Sequence, residues 1–337
     1  MSRMLRRLIG AMLLGVAVYG GFVLYRGASR IAHEFGHYAW WTFAAACALA
    51  FSNYLLRFLK WEYYLGVLGI RGVPKGESLL IFLSGFVLTV TPGKVGEVFK
   101  SIILQELRGV PIERTAPIVV AERVTDLIGV ITLIAIGSLS LPGGLVWASA
   151  GAAAVVALLV FVSSPTLSAW LLQLLPRLPG ALGRVFGRIA PKVAEALLRL
   201  RELTTPRRLI WPTLLSIAAW ALEGIALWVI LGGFDEHPPL TTTAFLYATA
   251  TLAGALVPVP GGLGVTDGLL EGQMAALAAV AHETATAAML LVRFATLWFA
   301  VAVGFIALAL LRARNPSLAA SGDGSEAPTG SEIEKTP

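Results

Sequence analysis

Thr91-Pro92-Gly93-Lys94-Val95-Gly96-Glu97 lies in the middle of an apolar stretch, and its reading decides the fold. Proline removes a backbone donor, and lysine and glutamate are costly in hydrocarbon, so no plain membrane span carries such a segment. Far downstream the chain answers it with Pro260-Gly261-Gly262-Leu263-Gly264. Aligning Pro92 with Pro260 gives Pro-Gly-x-(Val/Leu)-Gly at both places. Nearly the same offset relates Glu122-Arg123-Val124-Thr125-Asp126-Leu127 to Val292-Arg293-Phe294-Ala295-Thr296-Leu297. Each half therefore reads as a broken apolar hairpin followed by a long span bearing an arginine. Interrupted apolar segments at matching positions of two halves are the sequence pointer to a transporter-type site at mid-membrane.

Composition agrees with a membrane chain. The 337 residues are 57% hydrophobic and only 14% charged, against about a quarter charged in soluble proteins. Continuous apolar runs, rather than alternating ones, exclude a barrel and define an all-α polytopic membrane protein. A net charge of +6 needs no nucleic-acid partner, because the positive-inside rule accounts for it. The single cysteine, Cys47, excludes a disulfide framework and a cysteine metal cluster.

Six full spans are expected, at Leu8–Tyr25, Tyr38–Phe58, Thr115–Leu141, Gly143–Val162, Leu209–Leu231 and Thr284–Leu311. Basic Met1 to Arg7 precedes the first, with no small-residue cleavage site after it, so it reads as an uncleaved anchor. The limbs Ser78 to Val90 and Val95 to Leu107 are too short to cross, and the Pro-Gly break between them makes a re-entrant element of Glu77–Leu107. Leu240–Ala281 is the second such hairpin. Repeat one then covers about 8–141 and repeat two about 143–312, within a transmembrane domain of 1–314. Arginines and one lysine, interleaved with Leu, Val and Phe over 163–208, read as a basic cytoplasmic linker or a surface-lying amphipathic helix. The tail 315–337, rich in Gly, Ser, Pro and Glu, reads as disordered and cytoplasmic.

With these spans, Arg57, Lys60, Arg71, Lys75, Arg108, Arg114, the linker, Arg312 and Arg314 share the cytoplasmic side with both termini. The outside keeps Arg26, Arg30 and the acidic turn Asp235-Glu236. An odd number of spans separates the two hairpins, so they enter from opposite faces and the repeat is inverted.

Broken helices leave backbone N–H and C=O groups that cost several kcal/mol each in lipid unless paired or wetted. The hairpin tips should therefore face a polar site, with helix starts just after Gly96 and Gly264 offering donors to an anion. Lys94, Arg123 and Arg293 are the candidate headgroup contacts. Gly93, Gly96, Gly261, Gly262 and Gly264 are the positions where backbone can approach a ligand. Glu97, Glu122, Asp126, Glu223 and Asp267 are candidates for ion pairing or proton coupling. The plain alternative is that these charges neutralise one another and lock the bundle.

Thr91–Glu97, Glu122-Arg123-Val124-Thr125-Asp126 and Pro260-Gly261-Gly262-Leu263-Gly264-Val265-Thr266-Asp267-Gly268 together resemble the flippase-like family, also called the lysylphosphatidylglycerol synthase transmembrane-region family. The resemblance runs to about Arg312. It implies lipid movement across a bacterial-type inner (plasma) membrane, as in the lipid-translocating half of multiple peptide resistance proteins. Its partners would be membrane lipids, anionic or polyprenyl-linked, with a lipid-modifying enzyme as a further partner. Nothing after Arg312 reads as a soluble aminoacyl-transfer domain, so synthesis is not expected of this chain. No cofactor is expected, and no Gly-x4-Gly-Lys-Ser/Thr loop is present for ATP.

One rival motif stands out. His33-Glu34-Phe35-Gly36-His37 is a literal H-E-x-x-H, which on a helix sets two imidazoles one turn apart for zinc. An intramembrane protease would take Asp267 as its third ligand. The motif falls in the polar linker Arg26–His37, however, so an interfacial histidine pair ahead of Tyr38, Trp40 and Trp41 is the favoured reading. A non-transporting scaffold for lipid-modifying enzymes is the third class, though interrupted helices serve no purpose in a scaffold.

Overall fold

A computed structural model describes residues 15, 17–25, 27–90, 97–141, 144–164, 200, 202–257 and 259–315. Among them every regular element is helical: 17–25 (the end of the first expected span), then α1 (Ala28–His37), α2 (Trp40–Val67), α3 (Lys75–Ser84), α4 (Phe99–Arg108), α5 (Ile112–Ser138) and α6 (Gly144–Ser163). The second half supplies α7 (Pro206–Gly232), α8 (Leu240–Leu256), α9 (Val265–Ala278), α10 (His282–Arg293) and α11 (Phe299–Arg314). Among the described residues three helical rods are long and apolar enough to cross a membrane: Trp41–Val67, Arg207–Gly232 and His282–Arg314.

Where the two hairpins are expected, the structure has two pairs of short helices. In the first, α3 runs into a tight helical turn at Gly85–Leu88, and α4 follows; α3 and α4 pack together. In the second, α8 and α9 pack together across a tight turn at Pro260–Gly262. Each pair is followed by a long rod, α5 in one case and α10–α11 in the other. Thr91–Gly96, with Gly93, Lys94 and Gly96, lies outside the described residues, as do most of the basic linker (165–199) and the tail from 316.

Packing relies on close backbone approach. α7 lies against α2, α5 and α8, and α11 against α3. Small residues sit where rods touch: a Cβ on Gly224 of α7 would come 2.9 Å from Ala244 Cα of α8. One on Gly137 of α5 would come 2.6 Å from the Thr241 carbonyl oxygen. In lipid no hydrophobic gain drives such contacts, so dispersion at short range and small side chains hold the helices together. Two large apolar cores result, with a small third one around Val130, Leu133 and Ala248. One gathers the start of α2, the end of α7 and the faces of α8, α9 and α10. The other gathers the rest of α2 with α3, α4, α5 and α11.

The structure corrects two expectations. The segment expected as a linker, Arg26–His37, is helical from Ala28. Its apolar face buries Ile31 at 1% exposure, while Arg30 pairs with Glu283 at 2.9 Å and Thr284 donates to Glu34 at 2.9 Å. A polar segment folds here because α10 offers it both an apolar floor and charged partners. The second correction concerns the rod expected to end at Phe58. It continues to Val67, so Lys60, expected beyond the end of the span, belongs to its interior. Lys60 is fully buried.

Candidate functional site

Helical spacing explains how α2 and α5 come to face each other with charge. Arg57 and Lys60 lie three residues apart on α2, and Arg123 and Asp126 lie three apart on α5, so each pair shares one face. Lys60 Nζ donates to Asp126 Oδ1 at 2.6 Å, to Ser216 Oγ of α7 at 2.8 Å and to Thr125 Oγ1 at 3.3 Å. Ser216 donates in turn to Asp126 Oδ1 at 2.9 Å. The other oxygen of Asp126 meets Arg123 at 2.7 Å and Arg57 at 3.9 Å. Glu97, just ahead of α4, bridges the same two arginines, at 3.3 Å from Arg57 and 3.1 Å from Arg123. Lys100 pairs with Glu122 at 2.5 Å and lies 4.6 Å from the Trp61 ring centroid. The cations Arg57, Lys60, Lys100 and Arg123 thus tie α2, α4, α5 and α7 through three carboxylates.

The second half builds a smaller counterpart. Arg293, last residue of α10, sets Nε 2.7 Å from Asp267 Oδ1 and donates from Nη2 to the Gly261 carbonyl at 2.6 Å. The Gly264 N–H donates to Asp267 Oδ2 at 2.8 Å. The turn needs its glycines, because Gly261, Gly262 and Gly264 have φ of 61°, 68° and 83°, a region that side chains disfavour. Asp267 therefore occupies the start of α9 with the chain's own carboxylate. Of the donors at this helix start, the Gly264 amide is thus taken by Asp267.

One cavity of about 240 Å³ joins the two centres. Arg57 and Arg123 line it from the first half; Arg293, Glu223, Gly261 and Gly262 line it from the second. Arg123 retains 31% side-chain exposure against 8% for Arg293, so it is the more open of the two. Tyr54, Trp220 and Tyr247 bring aromatic rings to the wall, and Tyr247 donates to Glu223 Oε2 at 2.9 Å. A π-helical turn at Phe294–Trp298 follows Arg293 directly. Such a turn displaces backbone pairing, and the Thr296 carbonyl there accepts from the Tyr54 hydroxyl at 2.8 Å.

Of the residues expected from sequence, Arg123, Arg293, Glu223, Gly261 and Gly262 therefore meet at one cavity. Glu97, Asp126 and Asp267 stand behind it as partners of its arginines, and Glu122 is held by Lys100. Gly264 caps α9. Sequence reading did not single out Lys60, Lys100, Ser216 or the tyrosines, and counted Arg57 among the cytoplasmic-side charges. A lysine three residues from an arginine inside an unbroken apolar run was the available signal.

The histidine pair sits elsewhere. His33 and His37 are exposed on α1 with ring centroids 4.7 Å apart. Among the described residues no group of three or more His, Cys, Asp or Glu side chains is arranged to hold a metal. Asp267, the third ligand that a protease would require, is engaged with Gly264 and Arg293.

Helices around a buried charge network, with one cavity reached from both halves, define a helical integral membrane protein whose polar centre lies inside the bundle. The chain matches the family described as the lysylphosphatidylglycerol synthase TM region over residues 12–304, and it belongs to that family. It is also similar to a UPF0104 membrane protein of Methanothermobacter thermautotrophicus, 26% identical over 74% of this chain and 77% of the relative. A second such match in that organism is 30% identical over 30% of this chain and 29% of the relative.

Proposed function

We propose that this protein binds the phosphate-bearing headgroup of a membrane lipid in the shared cavity and carries it between leaflets. The observation that carries this reading is the cavity itself, where Arg57 and Arg123 of one half and Arg293 of the other converge. Guanidinium groups suit phosphate oxygens because their donors are planar, paired and always charged. Exposed Leu256 and Val257 stand beside the wall, and Val257 lines it, so an acyl or polyprenyl chain has an apolar way out. Membership of the family also supports a role in lipid metabolism or transport.

In this proposal six spans cross the inner membrane, with both termini in the cytoplasm. The pairs α3–α4 and α8–α9 are re-entrant hairpins of an inverted repeat, and alternating exposure of the cavity moves the headgroup. The chain acts as a carrier rather than a catalyst, alone or beside a lipid-modifying enzyme. The test is leaflet exchange of a fluorescent phospholipid in vesicles containing the purified protein. Arg123→Ala should lower exchange at least tenfold, because the most open of the converging guanidinium groups is gone, while the protein keeps its elution profile in detergent. Unchanged exchange would sink the proposal. Loss of the folded peak would return Arg123 to a purely structural role.

A further inference from the structure

The walls of the cavity differ in chemistry. Arg57, Arg123 and Arg293 present guanidinium groups. Glu223 presents a carboxylate, its Oε2 receiving the Tyr247 hydroxyl at 2.9 Å, and Trp220 stands one turn away on the same helix α7. Tyr54 comes from α2, the rod against which α7 packs. A carboxylate set among Tyr54, Trp220 and Tyr247 is the environment that an ammonium group prefers, because ring faces and the carboxylate attract it together. A ligand bearing only a phosphate would meet the arginines and bring no cation to this wall. A ligand bearing phosphate and amine would meet both walls with opposite charge, so neither of its charges is desolvated without a partner.

Size narrows the class further. An apolar cavity of about 150 Å³ holds one benzene ring. One of about 240 Å³ therefore accommodates a headgroup of roughly ten non-hydrogen atoms. Phosphoethanolamine fits within that, whereas a larger headgroup would have to extend out through the cavity's open side.

Resting on the lipid-carrier reading above, we propose that the substrate headgroup is a small zwitterion of the aminoalkyl-phosphate class. Its phosphate sits on Arg57, Arg123 and Arg293, and its ammonium sits at Glu223 among the aromatic rings.

The test compares short-chain lipids binding to the purified protein in mild detergent, followed by intrinsic tryptophan fluorescence. Dihexanoyl-phosphatidylethanolamine should bind at least about tenfold more tightly than dihexanoyl-phosphatidylglycerol or lysyl-phosphatidylglycerol of the same chain length. In Glu223→Gln the ethanolamine-to-glycerol affinity ratio should fall to about one, and Glu223→Asp should restore part of it. Equal affinities in the unmodified protein, or a ratio untouched by Glu223→Gln, would overturn the zwitterion assignment and leave the lipid reading standing. Binding of none of these lipids would overturn both. Free phosphoethanolamine competing as well as its lipid would uphold the headgroup and remove the lipid.

Discussion

Asp126→Ala should destabilise the protein by about 3–5 kcal/mol, enough to empty the folded peak on size exclusion or to lower the melting temperature sharply. The carboxylate is the only listener common to Lys60, Arg123 and Arg57 among the described contacts. Removing it leaves Lys60, fully buried, with two hydroxyls and no counter-charge among its hydrogen-bond partners. Desolvating an ammonium without a carboxylate is the expensive case, whereas removing both charges together is far cheaper. The double variant Lys60→Met with Asp126→Leu should therefore recover most of the lost stability. Tryptophan fluorescence melts of the two proteins decide it. If the double variant melts no higher than Asp126→Ala, the pairing is not the source of the loss.

Gly304→Val carries the second large effect. Gly304 on α11 lies where the first hairpin's tight turn crosses it, and an added Cβ would fall 2.6 Å from Val87 N and 2.9 Å from Phe86 C. Those are backbone atoms, so no rotamer change relieves the overlap and the two elements must move apart. Overpacking of this kind costs about 1–3 kcal/mol for a modest intrusion, and the branched side chain sits at the upper end or beyond. Gly272→Ala on α9 is the matched control, because nothing lies within 4 Å of its added Cβ. It should leave stability unchanged or raise it by up to about 1 kcal/mol through helix propensity. Equal melting temperatures for Gly304→Val and Gly272→Ala would show that the crossing is looser than the distances imply.

Sequence was a good guide where the chain's own local physics decides the outcome. Apolar length and interruption pointed to an all-helical membrane chain with short helix pairs near both Pro-Gly stretches, because apolar runs and their breaks are written in contiguous residues. Arg123, Arg293, Glu223 and the Gly261-Gly262 turn, which line the cavity, were singled out for the same reason: charge or glycine stood out against its apolar surroundings. What could not be read was partnership. Lys60 sits near the end of an apolar run, and loop charge or buried ion pair differ only in whether α2 stops at Phe58 or runs to Val67. Ser216 and Tyr247 carry no local mark at all; they matter because α7 and α8 bring them to Asp126 and Glu223. The HEFGH segment misled in the other direction, since its polarity suggested a linker while its spacing built the amphipathic helix α1.

The triangle of Asp267, Gly264 and Arg293 works as a splint across a fracture. One carboxylate grips the start of α9, and the arginine it holds reaches back to the carbonyl of Gly261 on the other side of the break. The joint is thereby fastened to the last long rod at the one place where backbone alone would let it fold. The second hairpin and α10 are pinned to each other beside the π-helical turn, at the glycine turn that walls the cavity.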